Sequence, residues 1–556
     1  MPRPIRLTLA SVLAAVLLPA VSAGAQDKPA APAPRPPALI VAISVDQLSG
    51  DLFAQYREHF TGGLARLLQG AVFPNAYQGH AATETCPGHS TLLTGVRPAR
   101  NGIIANNWFD PGLSRADKRV YCAEDERDPA STSGNPVVSA VHLKVPTLGD
   151  RMKAVSPGSL NVAVSGKDRA VVMMGGHAID AGYWWKGSGF TSFAGRAPSP
   201  SADAETRLAQ AQIARGAADM AVPRWCQGHA RALDAGKVSL GAGRFAMERG
   251  RPDQFQRSPR LDNATVSLAL RLTGEMDLGK RAETDVLSVS LSATDYIGHG
   301  LGNQGLEMCI QMAELDKAVG RLLAGLDARK LDYLVVLSAD HGGIDVPERL
   351  DQQAYPRAAR ADAALLPDAL AAQITARTGI SVPSGKLLYA DGPSGDYYIS
   401  ASLSSLEKAR VSAALVDLLK AHPQVAAVFT AQQLAETAPP TSGPQEWTLQ
   451  ERARLSFDPR RSGDVVTLLE RAVAPIPQPS PGYVATHGSP WDYDRRVPLL
   501  FWKRGMAPME QPAPVETVDI APTLSSLIGL DVADGDYDGR CLDIDAGPGN
   551  SCEKGL

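Results

Sequence analysis

Four stretches of this chain are short runs rich in aliphatic and β-branched residues, with no charge in their middles, that stop in a cluster of polar residues. They are LIVAISVD (39–46), LNVAVSGKDR (160–169), DVLSVSLSATD (285–295) and LDYLVVLSADHGG (331–343). A strand with one face in water alternates apolar and polar side chains, because successive residues point to opposite faces. Continuous apolar runs of this length fit strands covered on both faces, as in a parallel sheet with helices packed above and below it. Between the last two runs, GLEMCIQMAELDKAVGRLLAGLDARK (305–330) repeats apolar residues at three- and four-residue spacing, the pattern of a helix. Strand–helix–strand alternation predicts an α/β fold: a central, mostly parallel sheet flanked by helices. Open sheets of this kind place their sites just past the carboxyl ends of the strands, where the polar clusters fall.

At 556 residues the chain exceeds one simple domain. The strand-like runs assign a catalytic core to 38–345 plus 480–556, with an accessory insertion at about 185–280 that is rich in Gly, Ser, Ala and Arg. Residues 346–479 read as an inserted cap subdomain. They contain DGPSGDYYISAS (391–402), a helix from Leu406 to His422 and QVAAVFTA (424–431), a small β-α-β unit. The core pattern resumes with RVPLLFWKRG (496–505) and ETVDIAPTLSSLIGL (516–530). The N-terminus reads as an export signal: Arg3 and Arg6, an apolar run from Leu7 to Val21, and Ala23-Gly24-Ala25, with cleavage after Ala25. The run is short for a membrane span, and no later stretch is long enough for one. Residues 26–37 form a Pro/Ala-rich tether. The expected location is periplasmic or secreted, with no membrane segment once the signal is removed.

Cysteine usage agrees with export. Six cysteines, an even count, suit disulfides in an oxidising compartment. Six cysteines allow fifteen pairings; Cys541 with Cys552 closes the shortest loop, Cys86–Cys122 and Cys226–Cys309 would follow if nearest neighbours pair, and the sequence leaves the choice open. None sits in a CxxC pattern, which excludes the common thiolate zinc sites. A net charge of −4 supplies no basic field for nucleic acid.

The strand ends collect three acids and three histidines: Asp46, Asp295 and His299 in ATDYIGHG, Asp340 and His341 in SADHGG, and His487 in ATHGSP. One Asp-His pair alone is equally well a hydrogen-bonded pair or a helix cap. Six such residues, each near a small residue, point to metal. Mixed imidazole and carboxylate ligation suits zinc, and six protein ligands suit two ions, each with an open position. Two such ions form a clamp for in-line displacement at phosphorus.

A two-metal site needs a nucleophile, and ATETCPGHST (81–90) offers Thr85 and Cys86. Coordination would ionise the Thr85 hydroxyl. Cys86 in an exported protein is better read as structural, and Thr83 and His89 as supports of the loop. Lys167 and Arg169, two apart at a predicted strand end, would share a face if the strand continued and could neutralise a transferred phosphoryl group, although on their own they read better as two solvated surface charges. Asn106 in GIIANNW could donate to a phosphoryl oxygen, although a turn asparagine is an equal reading.

With these residues in hand, TETCPGHSTLLTGVRPARNGIIANNW resembles the nucleophile region of the alkaline phosphatase superfamily, in its type I phosphodiesterase and nucleotide pyrophosphatase branch. The interval of 21 residues from Thr85 to Asn106 is that of the family, and DYIGHG, DHGG and the late HG are similar to its metal motifs, in its order. The resemblance covers about 38–345 and 480–545. It implies that Asp46, Asp340, His341 and Thr85 hold one zinc and that Asp295, His299 and His487 hold the other. It further implies a phosphothreonine at Thr85. SGKDRAVVMMGGH (165–177) is similar to the phosphate-irrepressible alkaline phosphatases, which place a Lys and an Arg in this segment. That implies a secreted, often monomeric phosphomonoesterase of broad range. The alternatives are a phosphodiesterase or nucleotide pyrophosphatase on the same core, or a non-catalytic member that binds phosphorylated ligands. A sulfatase fits less well, because Pro87 follows Cys86 directly and the next arginine is Arg97.

Overall fold

A computed structural model describes residues 36–554 except 198 and 354, so the signal peptide and nearly all of the tether lie outside the described residues. In space the main sheet runs Met509–Glu510, Ala71–Tyr77, Arg496–Lys503, Tyr333–Ser338, Leu39–Val45, Asp285–Leu291, Asn161–Ser165, Ala181–Lys186, Gly189–Thr191, and Val515–Glu516 also pairs with Ala71–Tyr77. The five strands from Tyr333–Ser338 to Ala181–Lys186 are parallel. Arg496–Lys503 is antiparallel to both its neighbours. All seven residues of Leu39–Val45 and of Asp285–Leu291 are buried, as strands covered on both faces must be.

Register carries the site. Ser44 lies beside Ser338, Val45 beside Leu291, and Ser290 beside Ser165. The four apolar runs therefore end in line, and the polar residues after them emerge along one edge of the sheet. The helix Leu306–Ala328 buries Leu315, Val319, Leu322 and Leu326 in the main core and packs on the helix Pro259–Glu275. That second helix comes from 185–280, so this stretch does not stand wholly apart from the core: Leu261, Val266, Leu268 and Leu272 are buried within it.

Residues 361–473 build a second core around Ile374, Tyr397, Val411, Leu415, Leu419 and Val465. Its sheet runs Leu388–Tyr389, Gly395–Ile399, Val465–Leu469, Val425–Thr430, with neighbours antiparallel. The unit read as β-α-β is thus split, because Val465–Leu469 inserts between its two strands. Val466 and Leu468 also pack with Ala81, Leu434 and Phe457, which ties this subdomain to the chain just before Thr85. The cysteines pair as Cys86–Cys122, Cys226–Cys309 and Cys541–Cys552. Among the described residues no helix is long and apolar enough to cross a membrane.

Candidate metal centre

The six acids and histidines converge. Asp46 follows the strand Leu39–Val45, and its N–H bonds to Leu291 O at 3.0 Å across the end of the neighbouring strand. Asp340 and His341 follow Tyr333–Ser338; Asp340 Oδ1 accepts from the N–H groups of Gln47 and His341 at 3.1 and 3.0 Å. Asp295 and His299 lie one turn apart on the helix Ala293–Leu301, and His487 comes from a loop more than 180 residues later. Two groups result, Asp46 with Asp340 and His341, and Asp295 with His299 and His487. In each, one ligand atom per residue lies within 4.8 Å of the others. The rings of His341 and His487 stack at 3.6 Å between centroids, which sets the two groups side by side.

Each histidine is oriented through its other nitrogen. Nδ1 of His299, His341 and His487 lies 2.9, 2.8 and 2.8 Å from the backbone oxygens of Ala485, Gly342 and Thr83. A carbonyl only accepts, so Nδ1 carries the proton and Nε2 presents a lone pair, the arrangement of metal-binding imidazoles. Burial pushes His341 well down and His487 down from the ordinary histidine value, so both stay neutral and able to ligate.

The donor set fits divalent cations. Asp46 Oδ1, Asp295 Oδ1 and His341 Nε2 are buried without a hydrogen bond. Buried charges require pairing, and the Lys167 ammonium pairs with Asp46 and Asp295 but not with Asp340. Burial, then Asp295 and Asp340, drives the Asp46 carboxyl well up. Burial also disfavours the Asp295 carboxylate, but His299 and Lys167 outweigh it and hold that group low. Cations held by the two candidate groups would relieve the conflict.

Thr85 opens the helix Thr85–Thr94. That helix can approach the metal groups because residue 88 is glycine: a Cβ there would stand 1.9 Å from Asp340 O. Lys167 Nζ and Arg169 Nη2 lie 3.3 and 3.4 Å from Thr85 Oγ1. They do not share the face of a continuing strand. The strand ends at Ser165, Lys167 caps the helix Asp168–Gly175, and Arg169 sits in its first turn. A strand-to-helix turn brings both cations to the hydroxyl. Lys167 also reaches Asp46 and Asp295 at 2.6 and 2.5 Å, and these outweigh burial to keep it an ammonium.

Cys86 is committed to Cys122, which removes it as a nucleophile. Asn106 Oδ1 accepts the Cys86 N–H at 2.8 Å. Thr83 donates to Ser489 O at 2.7 Å, and its own carbonyl holds His487. His89 is fully buried, with Nδ1 2.9 Å from both the Thr85 carbonyl and Asp340 Oδ2 and Nε2 3.0 Å from Ser290 Oγ, so it ties the Thr85 loop to a candidate ligand. A cavity of about 390 Å3 opens over the site, lined by Glu84, Asn106, Arg169 and His487 and, from the cap, Asp391 and Asp396. Nothing in the local sequence around Glu84 or the two cap aspartates marks them for this cavity.

The type I phosphodiesterase / nucleotide pyrophosphatase family model matches residues 40–490. The chain belongs to this family. Among relatives, alkaline phosphatase PhoK of Sphingomonas sp. is 50% identical over 93% of each chain. Alkaline phosphatase PhoD of Zymomonas mobilis is 47% identical over 92% of this chain and 89% of that one. The crystal structure of alkaline phosphatase PafA superposes with a TM-score of 0.79 at 24% identity, covering 92% of this chain and 99% of the other. Family membership and the curated relatives place this chain in the alkaline phosphatase superfamily, and the likeness to PafA shows the same fold.

Proposed function

We propose that this chain is an exported, zinc-dependent alkaline phosphatase that hydrolyses phosphate monoesters of broad range through a phosphothreonine at Thr85. The observation that carries the reading is the convergence of Lys167 and Arg169 on Thr85 Oγ1 at 3.3 and 3.4 Å. The transferred group of a monoester bears close to two negative charges, whereas that of a diester bears one and a second ester group. Two cations at the nucleophile match the former. Relatives named alkaline phosphatases at 50 and 47% identity support the same choice.

In this reading Asp46, Asp340, His341 and Thr85 hold one zinc, and Asp295, His299 and His487 the other. Zinc supplies ionisation of bound hydroxyl or water at neutral pH and neutralises charge on oxygen. Thr85 Oγ attacks phosphorus as the bond to the leaving-group oxygen breaks, giving phosphothreonine and a free alcohol. Water then attacks the same phosphorus, releasing phosphate and restoring the hydroxyl. Lys167 and Arg169 balance charge on the non-bridging oxygens, Arg169 through a fork of N–H donors. Asn106, whose oxygen is already taken by Cys86 N–H, has its NH2 left to donate. Three disulfides support export, and the substrates are small phosphate monoesters met by a monomer.

The test is kcat/KM of the zinc-loaded mature protein on p-nitrophenyl phosphate and bis-p-nitrophenyl phosphate. A monoester preference of orders of magnitude is expected. A diester preference would transfer the site to phosphodiester or nucleotide pyrophosphate hydrolysis, and no turnover of either would mark a binding protein.

A further inference from the structure

Glu84 stands at the N-cap of the nucleophile helix, yet its side chain makes no capping bond to that helix. An acid at this position ordinarily accepts from the first-turn N–H groups. Here Oε2 accepts the backbone N–H of Asn106 at 2.6 Å, while Asn106 Oδ1 accepts the backbone N–H of Cys86 at 2.8 Å. Asn106 thus supplies the cap that Glu84 leaves open, and Glu84 in turn holds the Asn106 backbone. A third bond closes the ring: the Cys122 N–H donates to the Asn106 carbonyl at 2.9 Å, and Cys122 is joined to Cys86.

The pair of bonds fixes an orientation. A carboxamide has one oxygen and one NH2 on opposite sides of its carbon. With the oxygen committed to Cys86, Asn106 Nδ2 turns away from the helix backbone, and both Glu84 and Asn106 line the cavity over Thr85. A second carboxylate beside a phosphoryl group is electrostatically unhelpful, so Glu84 earns its place through acceptor geometry and not through charge.

We infer that Glu84 is a positioning residue: by holding the Asn106 backbone N–H it aims the Asn106 carboxamide at the transferred phosphoryl group. The inference rests on the monoesterase reading above. Glu84 touches no reacting atom and acts through Asn106 alone.

The experiment is a double-mutant cycle on p-nitrophenyl phosphate with the zinc-loaded full chain. Glu84→Ala is expected to lower kcat/KM about 10- to 100-fold, the range for losing a hydrogen bond to a charged group. In an Asn106→Ala background the same change should cost less than about threefold, because the group it aims is gone, whereas in an Arg169→Ala background it should cost the full amount. Glu84→Gln, which keeps an acceptor oxygen, should recover activity to within about fivefold of the parent. If Glu84→Ala does not fold, Glu84→Asp, one methylene shorter, takes its place in the cycle. Equal losses in the parent and Asn106→Ala backgrounds would overturn the inference, as would an Asn106→Ala variant as active as the parent. Neither result touches Thr85: the underlying reading fails separately, if Thr85→Ala still turns over monoester.

Discussion

Replacing Arg169 by alanine separates the reading of substrate charge from catalysis in general. Arg169 Nη2 lies 3.4 Å from Thr85 Oγ1, so the oxygens of a phosphoryl group bonded there would sit about 4 Å from the guanidinium. Two unit charges at that distance interact by about 4 kcal/mol at an effective dielectric constant near 20 and by about 1 kcal/mol in bulk water. Arg169 is half-buried and faces an open cavity, which places it between these limits, at about 2 kcal/mol per unit charge, or roughly 30-fold in rate. A monoester dianion carries one more charge on the transferred group than a diester. Arg169→Ala is therefore expected to lower kcat/KM for p-nitrophenyl phosphate by roughly 30-fold more than for bis-p-nitrophenyl phosphate. Lys167 is a poorer probe, since its ammonium also pairs with Asp46 and Asp295 and its loss would disturb the metal ligands. Both substrates are assayed side by side at alkaline pH, with zinc content measured in each variant. Equal losses on the two substrates, at full zinc content, would refute the argument that Arg169 reads the second charge.

Other outcomes follow from single residues. Thr85→Ser should keep much of the activity and Thr85→Ala lose most of it, read as steady-state rate; equal activity in the two would remove Thr85 as nucleophile. His80 is fully buried, and burial followed by the nearby Arg495 holds its pKa at about 3 against 6.5 in the unfolded chain. The unfolded chain therefore binds the proton first, and stability falls as pH drops from 6.5 toward 3, by about 2 kcal/mol between pH 6.5 and 5. Denaturation midpoints at those two pH values should show a smaller change in His80→Gln, and an unaltered slope would contradict the assignment. The Cys226–Cys309 bridge spans 83 residues, so replacing both by alanine should cost about 4.5 kcal/mol of stability in the chain-entropy picture while leaving kcat/KM within about twofold; thermal melts and rates check each half.

Much of the centre was legible because its signals are local. Apolar runs declare doubly covered strands, and the acids and histidines stand within a few residues of where those runs stop, so Asp46, Asp295, His299, Asp340 and His341 could be read as neighbours before any register was known. Lys167 and Arg169 were also legible as a pair, but by the wrong geometry. Whether a chain continues as strand or turns into a helix after Ser165 depends on packing against other elements, not on the residues in that stretch.

The sequence by itself determined the chemistry available: which residue types stand at the strand ends, that an even set of cysteines is present to pair, and that a threonine hydroxyl stands among small residues at 81–90. Tertiary structure alone decided what those groups do to one another. His89 reaches Asp340 across more than 250 residues, Glu84 gives up its own helix for Asn106, and Val465–Leu469 splits the cap's β-α-β unit. Such contacts are set by register and close packing between distant segments. Hydrogen bonds and charges act over a few ångströms, and separation along the chain carries no record of separation in space.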